Sequence, residues 1–389
     1  GDRAHGKNDA EVGALANRFY DSMARLEFLP NSPTLMNADR PLGQLSACFV
    51  LPVDDSLDAI FETLKHAALI HQSGGGTGFS FSKLRPRGDV VRSTMGVSSG
   101  PVSFMEVYNA ATEAIKQGGT RRGANMGVLH IDHPDVLAFI NAKNDLRKVT
   151  NFNISLTVTD AFMQAVAEDA DFPLHHPGSG KVVRTVPARR IFDAIVTSAW
   201  QTGEPGVIFY DTVNRDNPTP AVGAIESTNP CGEVPLLPYE ACNLGSINLG
   251  RMITTDPETG KAVPDWEKLK DTVCLATHFL ENVITQNRYP IPPIKAAVDG
   301  NRKIGLGVMG WADMLLALGI PYDTDEAVLL GREIMAWIDY HSKWRSVELA
   351  KERGPFPNFA ESPYATPGWL TGRRQSNRRQ SNGRLAAGG

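Results

Sequence analysis

Apolar and polar residues alternate most strictly over 151–159, where Phe152, Ile154, Leu156 and Val158 fall on one side. A period of two predicts a strand with one buried face. Looser alternation predicts a strand over 45–53 that carries Cys48 and ends at Pro52, and another over 126–130. A short apolar run at 207–210, after Pro205 and Gly206, predicts a buried strand. Between these the period lengthens. Helical spacing covers 11–25, 57–70, 102–115, 135–141, 160–166, 187–200, 266–287, 308–318 and 326–350. Asp54, Asp55 and Ser56 supply a helix start before Leu57. Strands alternating with helices predict an α/β fold.

Prolines and glycines mark the connections. Pro30 and Pro33 flank Asn31 and Ser32, and predict a tight non-helical segment over 29–34. Ser73-Gly74-Gly75-Gly76-Thr77-Gly78 predicts a turn before an extended passage at Phe79, Phe81 and Leu84. It is not a phosphate-binding P-loop, because phenylalanine follows Gly78 where that motif needs lysine. Close backbone packing or positive φ would equally explain its glycines. A polar, basic connection runs over 85–100. Lys116 to Asn125 sets Lys116, Arg121 and Arg122 among glycines, which suits phosphate contact and equally a solvated arginine pair. Residues 168–187 predict an excursion or hairpin, 250–264 a turn-rich excursion, and 302–308 a strand or glycine-rich turn.

Composition narrows the class. With 389 residues the chain suits two lobes or one large α/β unit. Its 39 basic and 43 acidic residues give a net charge of −4, with no overall basic field for a nucleic acid. No apolar run is long enough for a membrane span and no leader is visible, so cytoplasm is the default expectation. Cys48, Cys231, Cys242 and Cys274 are too few and scattered for a secreted disulfide framework, and no zinc spacing occurs. Cys274 sits in a predicted helix and reads as packing, and His130 and His133 read as structural. No metal site is expected. The repeated Arg-Arg-Gln-Ser-Asn unit has no hydrophobic face, and 369–389 is expected to be a disordered or non-native basic tail.

One stretch concentrates chemistry: Asn229-Pro230-Cys231-Gly232-Glu233. Pro230 disfavours the helical region at Asn229, so the stretch is expected to be extended. Alternation would then put amide, thiol and carboxylate on one face, with a further thiol at Cys242. The same residues could simply cap a loop tip, with Cys231 a small buried hydrophobe.

Several stretches together resemble one family. Residues 45–53, 55–57, 73–88, 118–125, 151–160, 229–233 and 242–249, in that order, are similar to the amino-terminal half of ribonucleotide reductase catalytic subunits. The adenosylcobalamin-dependent (class II) group is nearest, and the resemblance covers roughly residues 10–368. It implies a ten-stranded α/β barrel, only its first half present here, in 45–368, after a partial helical region in 1–44. A finger loop near 229–233 would enter the barrel. The family's continuation after a segment like 354–359 does not follow in this chain.

The resemblance also implies roles. Cys231 would become a thiyl radical and take the ribose 3′ hydrogen. Glu233 would accept the 3′-hydroxyl proton and Asn229 would hydrogen-bond the substrate hydroxyls. Cys48 and Cys242 would supply two electrons as the 2′-hydroxyl leaves, and end as a disulfide, which demands α-carbons within about 6 Å. Ser32, Ser46 and Ala47 would lie near substrate. Asp55, Ser56, Arg85, Lys116, Arg121 and Arg122 would meet a deoxynucleotide effector. Adenosylcobalamin is the implied cofactor. A ribonucleoside di- or triphosphate, a thioredoxin-like or other dithiol reductant and a second copy of the chain are the implied partners. A class I subunit that needs a radical-generating partner, and an inactive nucleotide-binding fragment, are the competing expectations.

Overall fold

The computed structural model describes residues 2–91, 95–115 and 123–366. Lys116, Arg121, Arg122 and the basic tail lie outside the described residues. A six-stranded sheet runs in the order Gly206–Phe209, Phe152–Val158, Asn125–His130, Gly76–Ser80, Cys48–Pro52, Ala241–Cys242. The first five are mutually parallel, and Ala241–Cys242 is antiparallel to its neighbour. Helices Leu57–Gln72, Pro101–Ala114, Asp160–Ala167 and Ala188–Thr202 connect or flank these strands. They cover one face with a core that includes Phe49, Leu51, Phe79, Phe81, Tyr108, Phe152 and Ile154. Ser56 caps the first of them by accepting from the Ala59 amide at 3.1 Å, and Thr159 caps the third.

After Cys242 the chain passes through Asn243 into a second sheet. There Leu244–Asn248 pairs antiparallel with Phe28–Pro30 and parallel with Gly305–Met309. Helix Trp266–Gln286 packs on it, and the long helix Asp325–Arg353 packs on that helix. Their core holds Phe28, Ile247, Leu269, Leu280, Met314 and Ile334. The two sheets therefore share one nearly continuous strand, and Cys242 sits where it passes from one to the other.

Four expectations are corrected. Residues 29–34 are not irregular: they end the strand Phe28–Pro30 and begin the helix Ser32–Asn37. Asn31 caps that helix through the Thr34 amide at 2.9 Å, and Pro33 falls in the first turn, where a missing N–H costs nothing. Gly76, Thr77 and Gly78 lie in a central, fully buried strand and not in a turn. The strand Gly206–Phe209 is an exposed edge: Val207 and Phe209 are open because no strand lies beyond it among the described residues. Asn229–Glu233 is a tight turn, not an extended run, as set out below. The helix Pro292–Asn301 was not among the expected helices; Pro292 and Pro293 occupy its first turn. No helix among the described residues is long and apolar enough to cross a membrane.

Candidate active site

The site lies at the amino-terminal ends of the parallel strands. Cys48 and Gly76 open their strands, and Ala124 immediately precedes another. The two-residue strands Ser227–Thr228 and Pro235–Leu236 form a hairpin whose base crosses the strand Gly76–Ser80. Glycine makes the crossing feasible. A Cβ on Gly78 would coincide with the Thr228 carbonyl oxygen, and one on Gly76 would stand 2.7 Å from Pro230 Cγ. The glycine-rich stretch is thus the bed of this hairpin.

The tip of the hairpin is a β-turn. The Gly232 amide donates to the Asn229 carbonyl at 3.0 Å, which closes a four-residue turn with Pro230 and Cys231 at its centre. Gly232 follows with φ +83°, which glycine accepts without strain. Asn229 Oδ1 accepts from the Val234 amide at 3.0 Å and folds the loop back on itself. Asn229 Nδ2 donates to Cys48 Sγ at 3.1 Å, and Cys48 Sγ lies 3.9 Å from Glu233 Oε1. One buried amide therefore ties the turn to the strand thiol. Cys231 and Glu233 are exposed, whereas Asn229 is buried.

Cys48 and Cys242 are direct partners across the antiparallel pair. Opposed residues in such a pair have Cα atoms roughly 4.5–5.5 Å apart, inside the range that a disulfide spans. Both are buried thiols, and none of the four cysteines is bridged. Burial is the main reason that the Cys48 thiol is pushed well above its ordinary pKa, with Cys242 and Glu233 adding to it. Burial also pushes Cys242 up to about 12, helped by Glu240 and opposed by Lys303. Glu240 is itself buried and held by Lys303 Nζ at 2.7 Å and Asn301 Nδ2 at 2.6 Å.

Cys48, Asn229, Cys231 and Glu233 line one cavity of about 330 Å³ with Asn31, Ser32, Ala47, Gly76, Ser246 and Met309, the low end of ligand-sized pockets. Ser46 is not among its lining residues: its hydroxyl accepts from Asn287 Nδ2 at 2.7 Å inside the core. Cys242 lies beneath the cavity, packed with Cys48, Val50 and Leu236. Asp55, Ser56 and Arg85 meet elsewhere, at the carboxyl ends of the strands. Arg85 Nε pairs with Asp55 Oδ2 at 2.8 Å, and the Ser56 hydroxyl serves its cap. Cys274 is half-buried in its helix. The sequence reading missed Asn153, which donates from Nδ2 to the Pro230 carbonyl at 2.7 Å. A single asparagine far upstream gives no signal of that contact.

A family model described as "Ribonucleotide reductase, barrel domain" matches residues 46–382, and one described as "Ribonucleotide reductase, all-alpha domain" matches 4–43. The chain is 54% identical over 358 residues to a vitamin B12-dependent ribonucleoside-diphosphate reductase of Thermoplasma acidophilum, covering 92% of this chain and 46% of that protein. It is 51% identical over 354 residues to the protein so named in Mycobacterium tuberculosis H37Rv, covering 91% and 49%. It is 33% identical over 392 residues to the ribonucleoside-diphosphate reductase large subunit of Arabidopsis thaliana, covering 88% and 48%. The chain spans about half the length of these relatives. Its barrel-type α/β sheet, the helical region before it and these similarities together make the chain a member of the ribonucleotide reductase family.

Proposed function

We propose that this chain carries the thiol machinery of an adenosylcobalamin-dependent ribonucleotide reductase, which converts ribonucleotides to 2′-deoxyribonucleotides. The observation that carries the reading is the direct opposition of Cys48 and Cys242 beneath a turn that presents Cys231. The three thiols divide into two kinds. Cys231 is exposed at a turn tip, where a large cofactor could reach it; the other two are buried where it could not. That accessibility fits adenosylcobalamin, which supplies hydrogen-atom abstraction chemistry when bound. Cys231 and the exposed Leu29 at the cavity rim are the parts of this chain that would face it.

The chain's own residues supply the rest. Cys231 takes the 3′ hydrogen as a thiyl radical and returns it at the end. Glu233, exposed to the cavity, accepts the 3′-hydroxyl proton. Asn229 orients the ribose hydroxyls and holds Cys48. Burial keeps Cys48 and Cys242 protonated at neutral pH, so a thiol proton is at hand as the 2′-hydroxyl leaves as water. The pair then gives two electrons and closes as a disulfide, which a thioredoxin-like or other dithiol must reopen. Ser32 and Ala47 contact substrate, and Asp55, Ser56 and Arg85 contact a deoxynucleotide effector. We propose further that the chain divides near residue 45 and acts in a homodimer.

The test is reduction of all four ribonucleotides by the full chain with adenosylcobalamin and a dithiol, repeated with Cys231→Ala. Turnover is expected only before the substitution. Turnover that survives it overturns the assignment.

A further inference from the structure

We infer that Asn153 is a positioning residue that fixes the direction in which Cys231 presents its thiol. The inference rests on the proposed role of Cys231 and deepens it. Asn153 is the second residue of the strand Phe152–Val158 and pairs with Met126 in the neighbouring strand. Its Nδ2 donates to the Pro230 carbonyl at 2.7 Å. That carbonyl belongs to the central peptide of the turn, the Pro230–Cys231 bond.

The central peptide is the weak point of any β-turn. Types I and II differ mainly in a half rotation of that one peptide, and type II demands positive φ at the third residue. Cys231 occupies that position and does not have positive φ, which excludes the type II arrangement here. Pro230 fixes its own φ but leaves its ψ open, so proline alone does not prevent the rotation. Gly232, on the other side, adds freedom and no restraint. The turn's own bond, from the Gly232 amide to the Asn229 carbonyl, is compatible with both forms. The positive φ that the rotated form needs at Cys231, which is not glycine, already disfavours it, and Asn153, as partner of the Pro230 carbonyl, adds a second restraint against it. Rotation would break its bond, re-aim Cys231 and carry the thiol off the line to a substrate in the cavity.

The bond comes from a rigid element. Asn153 stands on a strand hydrogen-bonded on both sides, to Asn125–His130 and Gly206–Phe209. The turn tip is thereby referenced to the same sheet that carries Cys48. Gly76 and Gly78 set the height of the hairpin, and Asn153 sets the rotation of its tip. Its side chain is exposed, so its removal leaves no cavity in the core.

The test is Asn153→Ala in the full chain, with two readouts. In turnover, kcat should fall on the order of 10- to 100-fold, the scale for a reacting group misplaced by about an ångström, while KM for the ribonucleotide stays within about twofold. Without cofactor or nucleotide, alkylation of Cys231 by iodoacetamide, read by peptide mass, should change by roughly threefold or more, with Cys274 as the unchanged internal reference. Asn153→Gln, which retains the donor, should recover part of kcat. Unaltered kcat and alkylation, or a loss of kcat that tracks a lowered melting temperature, overturns the inference. Turnover that survives Cys231→Ala removes the thiyl reading itself. Turnover lost in Cys231→Ala but normal in Asn153→Ala removes this inference alone.

Discussion

Gly78→Ala should dislodge the hairpin that carries the turn Asn229–Gly232. The added Cβ would fall on the Thr228 carbonyl oxygen, with Ser227 Oγ a further 3.2 Å contact. The nearer obstacle is backbone, so rotation of the Ser227 hydroxyl cannot relieve the clash. Overpacking of this kind costs about 1–3 kcal/mol. A hairpin that lifts also loses the bond from Asn229 Nδ2 to Cys48 Sγ, worth about 0.5–1.5 kcal/mol. The sum is about 1.5–4.5 kcal/mol, or a fall in melting temperature of about 2–5 °C for a chain of this length. Gly13→Ala is the control: its Cβ meets nothing and the position is helical, so it should stabilise by about 0.5–1 kcal/mol. The assays are thermal unfolding by circular dichroism and maleimide labelling of Cys48, which should become faster as the hairpin lifts. Unchanged melting together with unchanged protection of Cys48 would refute the bed-and-hairpin account.

Mild oxidation should link Cys48 to Cys242 before any other pair, because their strand register already opposes them. Peptide mapping that shows a link to Cys231 or Cys274 first would count against this. His71 is held near pKa 4 by burial, below its ordinary 6.5, so the unfolded chain binds the extra proton. Stability from this group is present above pH 6.5 and is lost as pH falls toward 4. His71→Gln should flatten the stability–pH curve in that window by up to one proton, as measured by urea unfolding. Lys303→Met should strand the buried Glu240 carboxylate, at a cost of about 3–5 kcal/mol. A melting temperature like that of the wild type would show that Asn301 and the Leu237 amide satisfy it without the lysine.

The helices were legible because each buries one face, and the strands Cys48–Pro52, Asn125–His130 and Phe152–Val158 because apolar residues recur on their helix-covered side, although both of their faces are largely buried. The strand Gly76–Ser80 was not, because its inner face is Gly76 and Gly78 and its neighbour there is a hairpin from 150 residues later. Glycine argues against a strand when read locally; the reason for it is tertiary. The edge strand Gly206–Phe209 misled in the opposite direction, since Val207, Ile208 and Phe209 look like core, yet Val207 and Phe209 are open and Ile208 is only half-buried. At the site, spacing singled out Asn229, Cys231 and Glu233 but gave the wrong geometry, an extended face where a turn brings them to one cavity. That Cys242 opposes Cys48 was beyond any local pattern; only the resemblance joined them. Asn153 carried no signal at all.

The two ends of the sheet raise one further question. The strand that begins at Cys48 leads to Asp55 and Ser56, and the strand that begins at Gly76 leads to Arg85. The cavity and the proposed effector contacts thus sit at opposite ends of the same two strands, about 16 Å apart for five residues at ~3.3 Å each. Strands do not stretch, so any coupling must run through elements with two arrangements. One continuous path exists. Ser56 caps the helix Leu57–Gln72, and His71 in its last turn lies 2.8 Å from Thr77 Oγ1. Thr77 donates to Asn125 Oδ1 at 2.7 Å, and Asn125 donates to Thr112 at 2.9 Å. Thr77 adjoins Gly76, on which Pro230 rests. A shift of the helix therefore reaches the bed of the turn that presents Cys231 through one buried hydroxyl. Thr77→Val keeps the volume and deletes that hydroxyl, leaving Asn125 Oδ1 and His71 Nε2 without their partner at a cost of about 1–3 kcal/mol. Under the proposed function, deoxynucleotide stimulation should drop several-fold in this variant while effector affinity stays within about threefold. Full stimulation in a folded Thr77→Val protein would rule this path out.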